Sequence, residues 1–241
     1  MRLIAPLLLL ATFASAQPLS IRGGLGLDHT RGTTLADIDC SSTNPPALFG
    51  CVEGLAARGD FGHAELFELG VGYELTPQAR VELMVARRNG LGLDARTNFP
   101  GVTGEQPVFA DAESTAAFVT GAWAFGSSID ARPFVMAGAG VARNEIGAIT
   151  FQFPGIAPDA VTIIRGGKNT DLAFIGGAGI EFSISDRLGL ELALRYTNLG
   201  QIRTDSGPAT IVRPRGTSVI DIAGTEADVE TIGVLVSLRV R

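Results

Sequence analysis

The chain has two imidazoles, His29 and His63, and each lies next to a run of alternating apolar residues. Asp28 precedes His29 directly, and a His–acid pair is the usual device for general base chemistry. Neither histidine sits in a His-x-Ser or similar arrangement with a nucleophile, and two imidazoles are too few for a zinc ligand set. The expectation is therefore that the chain is not an enzyme and holds no metal or cofactor. A lipid-modifying enzyme at the rim, using His29 or His63, is the less favoured alternative.

A second set of residues has chemistry of another kind. Arg22, Asp28, Glu68, Glu74, Arg80, Glu82, Arg88, Glu181, Glu191, Arg195 and Arg239 all fall on one phase of alternating runs, six acids with five bases. Side chains of opposite charge confined to a narrow interior are expected to meet as ion pairs. Glycine shares that phase at Gly24, Gly26, Gly70, Gly72, Gly138, Gly140, Gly177 and Gly179, which leaves room for large neighbours. Cys40 and Cys51 enclose Ser41-Ser42-Thr43-Asn44-Pro45-Pro46. In an oxidising compartment they are expected to pair, and a loop of that size gains on the order of 3 kcal/mol from closure.

The elements that must position these groups are strands. Leu188, Leu190, Leu192, Leu194 and Tyr196 alternate with Gly189, Glu191, Ala193, Arg195 and Thr197. One face suits lipid and the other a wet interior, so an arginine at Ala193 should be milder than one at Leu192, with crowding its remaining cost. Period two predicts strands at Leu19 to Asp28, Ala64 to Thr76, Ala79 to Asn89, Thr115 to Phe125, Pro133 to Arg143, Leu172 to Ile184, Leu188 to Leu199 and Val229 to Val240. Their outer faces read Phe67, Leu69, Val71, Tyr73 and Leu75 in the second and Ile232, Val234, Val236, Leu238 and Val240 in the last. The connections after the second, fourth and sixth strands are short, and the others run to roughly 25 to 35 residues against a usual median of about 4 to 6. Two of the long ones are partly apolar: Ile149 to Ile164 around Pro154-Gly155, and Ile211 to Ile222. Those segments predict hairpins that pair with each other or meet a partner.

Met1-Arg2, the apolar stretch Leu3 to Thr12 and Ala14-Ser15-Ala16 have the form of a secretory signal peptide, residues 1–16, with cleavage after Ala16 and a mature domain at 17–241. The remaining chain has no apolar run approaching the ~18 residues of a membrane helix. A membrane-spanning mature chain must then be a closed barrel, because an open sheet edge leaves unpaired backbone groups in lipid. Without Arg2 there are 18 basic against 25 acidic residues and no basic cluster, which argues against nucleic acid as a partner.

Leu194-Arg195-Tyr196-Thr197-Asn198-Leu199-Gly200 and Arg132-Pro133-Phe134-Val135-Met136-Ala137-Gly138-Ala139-Gly140-Val141 resemble strands of the outer-membrane β-barrel family of OmpA-like and porin-like proteins. The resemblance implies an all-β fold, an eight-stranded antiparallel up-and-down transmembrane β-barrel with short periplasmic turns and long extracellular loops in the bacterial outer membrane. It also implies roles from envelope integrity to adhesion. The functional expectation is a non-enzymatic structural component or surface adhesin with a side-chain-plugged lumen; the alternative is a narrow channel or small-ligand carrier. Its expected partners are outer-membrane lipid and an extracellular protein or ligand at the loops, with the chain monomeric.

Overall fold

The computed structural model describes residues 19–50, 55–126 and 131–241; the expected signal peptide and Cys51 lie outside them. Fourteen strands and no helix make up those residues: β1 (Leu19–Thr30), β2 (Thr33–Asp37), β3 (Ala57–Asp60), β4 (His63–Glu74), β5 (Ala79–Thr97), β6 (Gln106–Ala124), β7 (Ala131–Ile146), β8 (Ile149–Gln152), β9 (Val161–Ile164), β10 (Gly167–Ser185), β11 (Leu188–Arg203), β12 (Gly207–Arg213), β13 (Gly216–Ile222) and β14 (Thr225–Val240).

Eight of these form a closed ring. β1, β4, β5, β6, β7, β10, β11 and β14 pair antiparallel in chain order. β1 pairs with β14 from Ile21↔Val240 to Thr30↔Thr231, which leaves the ring without an edge. The expected eight strands are this ring; of the six short strands, β8, β9, β12 and β13 are the two expected hairpins, and β2 and β3 are additional. At one end the connections are tight. In the 75–78 turn the Thr76 hydroxyl accepts the N–H groups of Gln78 and Ala79 at 3.2 and 2.9 Å, a turn device that needs a side-chain oxygen at that place.

Across the lower part of the ring the outer wall is apolar. Leu69, Leu83, Val119, Leu172, Leu194 and Val234 are all exposed, as a wall in contact with hydrocarbon requires. One step above this band, facing outward, come His29, Glu65, Arg87, Thr115, Arg143, Thr170, Asn198 and Glu230, a polar boundary on every ring strand.

Beyond the boundary the wall turns inside out. In β5, Val81, Leu83 and Val85 face out, the register shifts between Arg88 and Leu91, and thereafter Leu91, Leu93 and Ala95 are buried within. β11 repeats the device: Leu192, Leu194 and Tyr196 face out, the register shifts between Asn198 and Gln201, and Ile202 is buried. Each bulge contains a left-handed glycine, Gly90 at φ +81° and Gly200 at φ +71°. An extra residue in one strand moves everything after it to the other face. With water outside rather than lipid, the apolar side chains now gain by facing inward.

The six short strands complete this upper wall. β2 and β3 pair with each other and lie between β14 and β5, taking the places that β1 and β4 vacate. β8 lies on β6, β9 on β8, β12 on β9 and β13 on β12, so the two apolar hairpins pair with each other. The long connection expected after the third ring strand shortens to residues 98–105, because β5 and β6 continue well past the membrane.

Candidate functional site

Two layers fill the described lumen. The lower is a web of ion pairs at the short-turn end, supplied by inward positions of β1, β4, β5, β10, β11 and β14. Arg22 reaches Glu68 at 2.6 Å, Glu82 at 3.1 Å and Glu191 at 3.9 Å. Arg80 meets Glu82, Glu181 and Glu191 at 2.8, 3.1 and 3.0 Å. Arg239 meets Glu82, Glu191 at 2.7 Å and the Ser20 hydroxyl at 2.8 Å. Arg195 meets Glu68 at 2.5 Å. Higher up, Arg88 pairs with Asp28 at 2.5 Å, Thr231 donates to the same carboxylate at 3.2 Å, and Arg88 donates to the Thr197 hydroxyl at 3.2 Å.

The web also contains two cations that the alternating pattern did not single out. Arg132 meets Glu181 at 3.0 Å, and Arg241 meets Glu181 and, at 2.7 Å, Glu74. Arg132 is the second residue of β7 and Arg241 follows β14, so neither sits inside a run whose phase can be read. Glycine makes this packing possible: a Cβ on Gly72 would come within 2.8 Å of the Ser20 hydroxyl and 3.1 Å of the Arg239 guanidinium.

The upper layer is apolar, built in part from the two expected hairpins, and replaces the wet interior that the alternating runs imply. Leu35, Phe49, Phe61, Leu91, Val108, Phe151, Ile164 and Ile222 are buried there, contributed by ring strands and connections alike. Phe49 stacks on Phe151 at 4.5 Å and meets Phe99 edge-on at 5.7 Å, while the Arg213 guanidinium lies over Phe153 at 4.4 Å. The interior is thus not wet along its length. Ala193, expected to face water, is 2 % exposed even at the level of the web, between Glu191 and Arg195 and opposite Gly179 and Leu235. The loop connections fold over the mouth rather than standing clear of it.

At the rim, His29 and His63 are opposite each other on β1 and β4, with ring centroids 4.6 Å apart and both side chains on the outer wall. Asp28, on the inward face, is separated from both. Among the described residues no group of three or more His, Cys, Asp or Glu is placed to hold a metal ion. Cys40 lies between β2 and β3; its expected partner Cys51 is outside the described residues. In β2 the Asp37 carboxylate accepts the Phe49 N–H at 2.5 Å, and burial raises its pKa above the ordinary value while that bond draws it partly back.

A closed antiparallel ring with an apolar outer wall and a polar or packed interior defines a transmembrane β-barrel. The chain belongs to the family described as outer membrane protein beta-barrel domain, which matches residues 4–239. No curated protein matches it. Among solved structures it is similar to the outer membrane protein OprG from Pseudomonas aeruginosa, at 15% identity over 93% of this chain and 95% of that one, with a TM-score of 0.55. It is also similar to Neisserial surface protein A, at 9% identity over 92% and 96%, with a TM-score of 0.44. The outer membrane protease OmpT from Escherichia coli is a further match, at 10% identity over 92% and 96%, with a TM-score of 0.45. That match corrects the expectation that the chain is not an enzyme, since a barrel of this kind does not by itself exclude catalysis.

Proposed function

We propose that the protein is a sealed outer-membrane anchor that holds a stiff, loop-built sheet at the cell surface for contact with an extracellular protein or surface ligand. The observation that carries this reading is the double filling of the lumen, by ion pairs below and by the Phe49–Phe99–Phe151–Phe153 cluster above. An eight-stranded ring has an interior just wide enough for side chains, and both layers use that width. The two paired hairpins β8–β9 and β12–β13 supply the displayed surface, and β13 is its free edge, with Val219 62 % exposed. In this reading residues 1–16 are removed after Ala16, residues 17–241 form the mature domain, and a Cys40–Cys51 bridge staples the first connection.

Planar-bilayer recording on the refolded chain tests the seal. The expected result is a membrane that stays at baseline with no unitary steps. Regular open-channel steps would overturn the sealed lumen and favour a narrow channel.

A further inference from the structure

The lipid-facing wall has a depression. Gly23 faces outward between Ile21 and Leu25, and its partners across β4 and β14 are Leu69 and Leu238. Around Gly23 lies a groove of about 640 Å³ walled by Phe67, Leu69, Val85, Val236 and Leu238, with Arg87 at one end. A Cβ built on Gly23 would touch only the Leu69 Cδ2, at 3.5 Å, so the space is free. The groove crosses four adjacent strands, a span of about 14 Å at the usual strand spacing.

Arg87 belongs to the polar boundary above the apolar band, and the cross-strand row that contains it runs Arg87↔Thr115↔Arg143. Two guanidiniums therefore start about 10 Å apart, two strand spacings, with a hydroxyl between them. Arg87 is exposed and paired with Glu113 at 2.7 Å. Arg143 is exposed and has no ion pair or hydrogen bond among the described residues. A guanidinium at this depth reaches the headgroup level, and its fork of donors matches phosphate oxygens.

We propose that this is a lipid site: one acyl chain lies in the Gly23 groove, and Arg87 with Arg143 holds the phosphorylated headgroup of the same molecule. An apolar slot that opens to hydrocarbon and ends at Arg87, with Arg143 two strands farther along the membrane boundary, fits a molecule with both chemistries, and a free phosphate would use only one end. The inference rests on the orientation that puts the long connections outside the cell, which makes the occupant a lipid of the outer leaflet.

Native mass spectrometry of the chain released from nanodiscs of phosphatidylcholine doped with phosphatidic acid tests it. Wild type should retain phosphatidic acid with a roughly tenfold preference over phosphatidylcholine. The Arg87→Ala, Arg143→Ala double variant should keep its heat-modifiable band and lose the preference. Gly23→Leu, which puts a branched side chain into the floor of the groove between Leu69 and Leu238, should weaken retention of both lipids; Gly23→Val replaces it if the leucine variant gives no heat-modifiable band. Excess inorganic phosphate should not displace the lipid. An unchanged preference in the arginine variant, unchanged retention in the Gly23 variant, or displacement by phosphate would each overturn the site. An open lumen in planar bilayers would leave these readouts untouched, and cleavage of the short turns rather than the long connections by protease added to whole cells would overturn the orientation separately.

Discussion

Asp28 and Arg88 show what a charge inside this barrel must do to be tolerated. Both are almost wholly buried, the carboxylate accepts from Arg88 and Thr231, and Gly233 opposite leaves no side chain to displace it. Arg88→Met strips the carboxylate of its counter-charge, so it should destabilise the barrel by about 3 to 5 kcal/mol. Adding Asp28→Asn removes the orphaned charge and should recover most of that loss, which the midpoints of urea unfolding in detergent would report. A small loss in the single variant would mean that water already reaches Asp28. Outside the membrane, Asp37 works in the opposite sense. Its folded carboxyl is raised mainly by burial, so the folded state holds the proton more tightly than the unfolded chain does. Its contribution to stability is complete below the ordinary carboxylate value and is lost as pH rises through the raised one. Exchange protection of the Phe49 amide, which donates to Asp37, should therefore fall on going from acid toward neutral, and Asp37→Asn should flatten the trend; protection that rises with pH would contradict it. At this scale the sequence was legible wherever a charge sat inside a run. Arg22 through Arg239 could be placed on one phase, whereas Arg132 and Arg241, at strand ends, could not.

Strands were legible as far as the membrane reached and no farther. The runs ending at Asn89 and Leu199 stop where the bulges at Gly90 and Gly200 begin, because the outer face ceases to be apolar there. The continuation Leu91-Gly92-Leu93-Asp94-Ala95 alternates just as well, but its apolar residues face in, and a reader looking for a lipid-facing stripe passes over it. The apolar hairpins were legible for a related reason, since Ile149, Phe151 and Ile164 alternate without any need of lipid. Leu192 and Ala193 test both faces. Leu192→Arg puts a cation against hydrocarbon and should cost about 2 to 4 kcal/mol near the mid-membrane. Ala193→Arg was expected to be the milder change. Ala193, however, pairs with Gly179 and Leu235 inside a filled interior, so the variant combines overpacking with a new buried charge and should be at least as damaging. The fraction of each variant that gives a heat-modifiable band after refolding compares them. Wild-type yield for Ala193→Arg would show that the inner face has spare, hydrated room at that level.

For the whole molecule, the decisive property is closure of the ring by β1 and β14. Every ring strand has two partners, so opening any one of them in lipid exposes backbone groups that nothing else can satisfy. The barrel should therefore survive detergent at room temperature as a fast-migrating band and shift to slower migration only after boiling. Neither the ion-pair web nor the first connection closes the ring, so reductant should leave the unboiled band in place. Its effect should appear elsewhere: in a Cys40–Cys51 bridge the two thiols resist alkylation until reductant is added, and both then react. Alkylation of the untreated protein would remove the bridge from the proposed structure without touching the barrel. A protein that shows no heat shift, and that leaves the cell with the soluble periplasmic fraction, would contradict the membrane barrel itself, because an outer wall carrying Leu69, Leu172 and Val234 has no reason to be apolar in water.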